Sequence, residues 1–204
     1  MSFIALIDYD MGNLLSVSKA LESVGANLRI VRHPIEAEKA DALILPGVGN
    51  FGDGMKHLNE NHFVPFIKDW IAAEKPFLGI CLGMQMLMES SEEAPDVEGL
   101  GIFPGKVVRF PSHSLKVPHI GWNTIDVQNN NPYFQELSQT PWFYFVHSYY
   151  VQPEDSTIIA AQTNYIVDFA AALSCGNLLA TQFHPEKSQE NGLNVLKHFI
   201  QRIQ

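Results

Sequence analysis

The 204 residues are 46% hydrophobic and 17% charged with a mean hydropathy of -0.01, a balance that excludes a disordered tail and a membrane-embedded chain and suits one globular domain over residues 1–204. A formal net charge of -9 argues against a general nucleic-acid surface, which needs clustered Lys and Arg. The chain opens on an apolar run, Phe3-Ile4-Ala5-Leu6-Ile7, with no basic leader before it and too short to cross a bilayer; with Cys81 and Cys175 as the only cysteines, a cytoplasmic location with both as thiols is expected.

Up to about Ser90, short apolar runs alternate with helically spaced segments, the signature of a parallel sheet covered by helices. Strands are predicted at Phe3–Tyr9, Ala26–Val31, Ala42–Leu45 and Pro76–Cys81, and helices at Leu14–Val24, Val64–Ala73 and Leu82–Glu89. The strand runs are apolar on both sides, as strands buried on both faces must be. Gly25 closes the first helix, and Pro46-Gly47-Val48-Gly49 follows the third strand. Ligands of open parallel sheets bind beyond the carboxyl ends of the strands, so that loop and Cys81 are expected on one rim. From about Gly99 the pattern becomes short strands and turns: Gly101–Phe110, Val117–Val127, Trp142–Val151, Thr157–Gln162, Ile166–Leu173 and Leu178–Phe183, with a hairpin turning at Gly176-Asn177. A closing helix over Gly192–Ile203 carries Leu193, Leu196, Phe199, Ile200 and Ile203 at helical spacing. The fold class is α/β: a central, mostly parallel sheet flanked by helices, with additional antiparallel strands in the C-terminal half.

The strongest local signal is Phe77-Leu78-Gly79-Ile80-Cys81-Leu82-Gly83-Met84-Gln85. An apolar strand runs into a helix through a turn with Gly on both sides of one Cys, the cysteine version of a nucleophile elbow, where Gly79 and Gly83 remove bulk that would collide. A cysteine at a helix start also sits in the positive end of the helix dipole, which favours the thiolate. A thiolate can attack an amide carbonyl if donors receive the charge on oxygen. The N–H of Leu82 is one such donor, and a second is expected from Gly47-Val48-Gly49. Cys175 has no such turn and reads as an ordinary cysteine. The partner base is expected in Thr181-Gln182-Phe183-His184-Pro185-Glu186-Lys187-Ser188. Imidazole can pair with the thiolate and protonate the leaving ammonia, and a carboxylate two residues on can orient it across the stiff Pro185. No His pair has a zinc-ligand spacing accompanied by cysteines, so no metal and no cofactor are assigned.

These residues, G-x-C-x-G-x-Q joined to Q-F-H-P-E-K-S with a P-G-x-G loop upstream, resemble the class I (triad) glutamine amidotransferases, in order and over nearly the whole chain. The resemblance implies a flavodoxin-like fold, Cys81 as the nucleophile that forms a glutamyl thioester, His184 as general base and acid, and Glu186 as the group that orients His184. It places Gln85 against bound L-glutamine and makes Gly47-Val48-Gly49 the oxyanion strand, whose peptide has to flip in this branch before the hole is complete; either Val48 or Gly49 would donate.

A narrower resemblance is to the branch formed by the glutaminase subunits of imidazole glycerol phosphate synthases. It rests on Ile7-Asp8-Tyr9-Asp10-Met11-Gly12-Asn13-Leu14, on Gly99-Leu100-Gly101-Ile102-Phe103-Pro104-Gly105, on Pro118-His119-Ile120-Gly121-Trp122-Asn123 and on His147-Ser148-Tyr149. It implies that Pro118, His119, Gly121, Trp122 and Asn123 face a partner and that His147, Ser148 and Tyr149 belong to the glutamine pocket. The implied partner is a (β/α)8-barrel cyclase subunit, forming a heterodimer that channels ammonia into imidazole glycerol phosphate and an aminoimidazole carboxamide ribonucleotide in histidine biosynthesis. Asp10 stands where many members carry Gly, and His113-Ser114-Leu115 departs from the pattern. Three other readings stay open on sequence: a glutaminase subunit of anthranilate, aminodeoxychorismate or pyridoxal phosphate synthesis, a stand-alone cysteine or γ-glutamyl hydrolase, and a non-catalytic binding module.

Overall fold

The computed structural model describes residues 3–111 and 115–203; His113 and Ser114, in the stretch that departs from the family pattern, lie outside the described residues. The first half runs β1 (Ile4–Ile7), α1 (Leu14–Ser23), β2 (Leu28–Val31), α2 (Pro34–Ala37), β3 (Ala42–Leu45), α3 (Phe51–Glu60), α4 (Phe63–Ala72), β4 (Phe77–Ile80) and α5 (Leu82–Gln85). The second half runs β5 (Met88–Ser91), β6 (Phe103–Arg109), β7 (His119–Thr124), β8 (Asp126–Val127), β9 (Trp142–His147), β10 (Tyr149–Pro153), β11 (Ile159–Tyr165), β12 (Val167–Cys175), β13 (Leu178–Thr181) and α6 (Gln189–Gln201).

Eight strands form the main sheet in the order β2-β1-β3-β4-β13-β12-β11-β8. The first five are parallel, and β12, β11 and β8 continue antiparallel. With β13 in fifth place this is the 2-1-3-4-5 order of flavodoxin-like sheets, in which ligands sit beyond the carboxyl ends of the strands. Period-two alternation explains why the parallel strands read as unbroken apolar runs. Ala5, Ile7, Leu43, Leu45 and Phe77 pack on one face with α3 and α4, while Ile4, Leu6, Ala42, Ile44 and Leu78 pack on the other with α1 and α6.

Several expected elements change form. The helix predicted over Leu82–Glu89 is a single turn, Leu82–Gln85, because Met88–Ser91 leaves it as β5 and pairs in parallel with β6. A helix so short adds little dipole to Cys81, so the thiolate needs support from side chains. The strand predicted over Trp142–Val151 breaks at Ser148 into β9, paired with β7, and β10, paired with β6. Helix α3 carries Gly52 and Gly54 and has weak intrinsic preference. Tertiary packing supplies the rest, since a Cβ on Gly54 would lie 2.9 Å from Met86 Sδ. No helix is expected here from the sequence; Asn50 caps the start of α3, its side chain accepting from Asp53 N–H at 2.8 Å. Asp10 has φ +65°, the left-handed conformation Gly favours and Asp tolerates, which accounts for the departure from Gly there.

The glycines of the elbow act by close approach. A Cβ on Gly83 would lie 2.1 Å from the Leu45 carbonyl oxygen, and one on Gly79 would lie 2.9 Å from the Gly83 carbonyl oxygen. Gly83→Ala is expected to lower the unfolding free energy by at least about 2 kcal/mol, through backbone displacement at β3. Urea unfolding checks this, and an unchanged midpoint would show that β3 and α5 can separate freely.

Candidate active site

Cys81 stands between β4 and α5 at φ +53°, ψ -104°, outside the comfortable regions for a non-Gly residue, at a cost of about 1–3 kcal/mol. Its N–H donates to the Thr181 carbonyl at 2.7 Å, and its carbonyl accepts from Met84 and Gln85 N–H at 3.0 and 3.2 Å. Those bonds hold the strained turn and leave Cys81 7% exposed on a cavity of about 380 Å³.

The neighbouring strand ends bring in the other groups. His184 follows β13, and its backbone is fixed to β9: its N–H donates to the Tyr144 carbonyl at 3.0 Å. Ser188 Oγ donates to the His184 carbonyl at 2.6 Å and accepts from Tyr144 N–H at 2.9 Å. His184 Nδ1 lies 2.8 Å from Glu186 Oε1, with both side chains buried at 2% and 1% exposure. A carboxylate only accepts, so Nδ1 carries the proton and Nε2 is the nitrogen left for chemistry. Nε2 makes no hydrogen bond of regular geometry, yet lies near enough to Cys81 to feel it. Burial alone would hold the imidazole neutral; the interactions with Cys81, followed by those with Glu186, outweigh it and raise His184 from 6.5 to about 10.

Two other histidines behave in the opposite way. Burial pushes His147 down to about 3, further lowered by the neighbouring His119 and His184 charges against the raising effect of its bond to the Tyr149 carbonyl. Burial pushes His119 down to about 4. His119 Nδ1 and His147 Nε2 lie 3.1 Å apart, and His147 Nδ1 lies 2.8 Å from the Tyr149 carbonyl. The carbonyl can only accept, so both rings are the Nδ1–H tautomer. The expectation that His119 faces a partner is corrected here: it is 3% exposed and stacks on Phe145 and Tyr165, because period two on β7 turns it inward while Ile120 and Trp122 turn out.

The other anticipated residues divide as follows. Val48, Gly49, Leu82, Gln85, Pro118, His147, Ser148 and Tyr149 line the same cavity as Cys81 and His184. Gly47 is buried beneath it, where a Cβ would lie 2.6 Å from the Tyr9 hydroxyl and 2.8 Å from Leu82 Cβ. The Tyr9 hydroxyl donates to the Pro46 carbonyl at 2.8 Å and so fixes the loop from below; burial, and then the Cys81 charge, push its pKa up. Val48 N–H is turned away and donates to the Met11 carbonyl at 3.3 Å, while Gly49 has φ +107°. As the first helical residue, Leu82 has an N–H without an intrahelical acceptor. Trp122 is 44% exposed and stands edge-on to Tyr144; the half-buried Asn123 donates to the chain's own Asn164 carbonyl at 3.0 Å. Glu93, also in the cavity wall, had no sequence signal beyond an acidic run. Among the described residues no cluster of His, Cys, Asp and Glu could hold a metal ion.

A strained cysteine at the end of a parallel strand, with a His–Glu pair at the end of the next, defines a class of amidotransferase. The family model "Glutamine amidotransferase class-I" matches residues 5–203, and the chain belongs to that family. Within it, the chain is 50% identical to "Imidazole glycerol phosphate synthase subunit HisH" of Syntrophotalea carbinolica, over 96% of this chain and 98% of that one. It is 50% identical to the subunit of the same name from Cyanothece sp., over 100% and 97%, and 46% identical to "Imidazole glycerol phosphate synthase subunit HisH 1" of Methanococcus maripaludis, over 98% and 100%. The fold matches "Structure of PurLQS from Thermotoga maritima" at TM-score 0.79 and 19% identity, covering 100% of this chain and 99% of that one. It also matches "Crystal structure of glutamine amidotransferase" at 0.77 and 18%, covering 98% of both.

The raised pKa of His184 has a direct consequence. A folded value above the unfolded one means that charged His184 stabilises the fold fully below about pH 6.5, and that this contribution is lost as pH rises to about 10. The stability of the wild-type chain relative to His184→Gln is therefore expected to fall across that window in urea unfolding. A pH-independent difference would mean that His184 is neutral in the folded chain.

Proposed function

We propose that Cys81, His184 and Glu186 are the triad with which this chain, the glutaminase subunit of imidazole glycerol phosphate synthase, releases ammonia from the side-chain amide of L-glutamine. The observation that carries the assignment is the strained, Gly-flanked Cys81 sharing one cavity with an imidazole fixed by Glu186 at 2.8 Å. The Cys81 sulfur pair attacks the amide carbon, and the carbonyl π pair moves onto oxygen. Collapse expels ammonia with a proton from His184 Nε2. Water, deprotonated by the same nitrogen, then attacks the thioester, and glutamate leaves as the thiolate returns. Glu93 suits the α-ammonium of glutamine as a carboxylate of the cavity wall, with its Oε2 oriented by Phe51 N–H at 2.8 Å.

Leu82 N–H supplies one donor to the oxyanion, and the loop at Gly47–Gly49 supplies the other. With Val48 N–H bonded to the Met11 carbonyl, that second donor is withheld until the Val48 peptide turns over. Loss of one oxyanion donor costs about 10²–10³ in turnover, so hydrolysis is conditional on whatever drives the flip. The partner we assign is a (β/α)8-barrel cyclase that receives the ammonia, in a cytoplasmic heterodimer where all 204 residues serve as one glutaminase unit. Its contact surface is the outward face of β7 and β9, where Ile120, Trp122 and Trp142 are 60%, 44% and 48% exposed, large apolar side chains of the kind that anchor interfaces. Pro118 and Gly121 flank that face.

Cys81→Ala is expected to abolish glutamine hydrolysis while its complex with the cyclase still makes product from ammonium salt at raised pH. Diazo-oxo-norleucine should label Cys81 and leave Cys175 free; an adduct on Cys175 would sink the assignment, and loss of ammonia-dependent synthesis in a folded complex would put Cys81 in the synthase step.

The gating reading has its own test. Glutaminase turnover is expected to rise at least about 10²-fold when the cyclase and its nucleotide ligand are both present, and Trp122→Ala should weaken that rise more than it weakens folding. Equal turnover by the isolated chain would remove the gate and leave the triad standing.

A further inference from the structure

Gln182 lies outside the triad, yet it is fully buried and its carboxamide stands between two groups of the cavity wall. Its Nε2 donates to the Cys81 sulfur at 3.7 Å, and its Oε1 accepts from Gln85 Nε2 at 3.1 Å. The same Gln85 nitrogen donates to the Tyr149 carbonyl at 3.0 Å. These bonds leave no choice of orientation. A backbone carbonyl only accepts, so Tyr149 fixes the nitrogen end of Gln85; that nitrogen only donates, so it fixes the oxygen end of Gln182. The remaining end of Gln182, its N–H, is thereby aimed at sulfur. The opposite orientation would set two amide nitrogens against each other in a buried site, leaving donors unpaired.

We infer that Gln182 is a further catalytic residue, whose Nε2–H hydrogen-bonds the Cys81 thiolate and holds it in its charged form, with Gln85 and the Tyr149 carbonyl as the positioning groups that aim it. The inference rests on Cys81 being the nucleophile. A thiol is a weak acceptor and a thiolate a charged one, so a fixed donor favours the thiolate. The one-turn α5 supplies little of this stabilisation, which leaves His184 and Gln182 as its sources. The bond acts on the resting sulfur and weakens as the sulfur pair becomes the C–S bond. It therefore trades intrinsic nucleophilicity for a larger thiolate population near neutral pH. The other titratable groups near the sulfur are His184, Tyr9, Glu93 in the same cavity wall and, beyond His184, His147 and Glu186; an apolar residue in place of Gln182 leaves the charge of each as it was.

The test is the pH profile of Cys81 alkylation by iodoacetamide, an uncharged probe, on the full chain with the modified residue read by mass spectrometry. Gln182→Met removes the donor at similar length, and Gln182→Leu removes it with a shorter, branched apolar side chain. Both are expected to move the midpoint up by about 1 pH unit, the effect of one charge-assisted bond to a poor acceptor. Below the midpoint the rate should fall about 3-fold, because a ten-fold smaller thiolate fraction is partly offset by higher nucleophilicity, and above it the plateau should rise about 3-fold. A merely structural Gln182 would lower stability without this crossing of the profiles. Profiles that coincide with wild type overturn the inference, and if Gln182→Met does not fold, Gln182→Leu alone decides. Coincident profiles with an inactive Cys81→Ala leave the triad intact; retained hydrolysis in Cys81→Ala removes the triad and the inference together.

Discussion

The approach of α5 to β3, where Gly83 rests against the Leu45 carbonyl so closely that a single methyl would meet it at 2.1 Å, sets the rest of the site. It forces the chain to leave β4 through Cys81 at positive φ, and that conformation lifts the sulfur clear of both strand and helix. The same proximity brings the loop after β3 within contact of Leu82, so that Cys81, the Leu82 amide and the peptides of that loop are gathered by one packing decision. Two hydrophobic layers, one on each face of the sheet, supply the rigidity against which about 1–3 kcal/mol of local strain persists.

Charge in the cavity is then partitioned by hydrogen-bond partners. Three histidines are buried within a few residues of the chemistry, and burial disfavours charge on all of them. His119 and His147 pair with each other and with a carbonyl, a set that needs no charge. His184 faces a carboxylate and a thiol, a set that does. One imidazole able to carry a proton at neutral pH therefore stands beside a pair that stays neutral.

Much of this was legible in the sequence where covalent geometry speaks directly. The Gly-flanked Cys81, the stiff His184-Pro185-Glu186 and the apolar runs of the parallel strands each carry their physical cause in neighbouring residues. The P-G-x-G loop was legible as a site, though only the structure gives the direction of the Val48 amide, which depends on a carbonyl 37 residues earlier at Met11. Helix α3 was hidden by its glycines, and the shortness of α5 by the apolar run Met86-Leu87-Met88, which suits a helix or a strand equally. His119 was misplaced because a motif names residues without saying which alternate ones turn inward. The contacts of Gln182 with Cys81, of Glu93 with Phe51 and of Ser188 with Tyr144 are made across long stretches of chain, which no local motif reports.

The bond between Val48 N–H and the Met11 carbonyl joins main-chain atoms alone. Every amino acid except proline brings the same N–H to position 48, and every amino acid brings the same carbonyl to position 11. A restraint written in this way is invisible to most point mutations. Side chains around it can be exchanged while the bond itself persists, so the direction in which the Val48 amide points is a feature that point substitution can hardly reach.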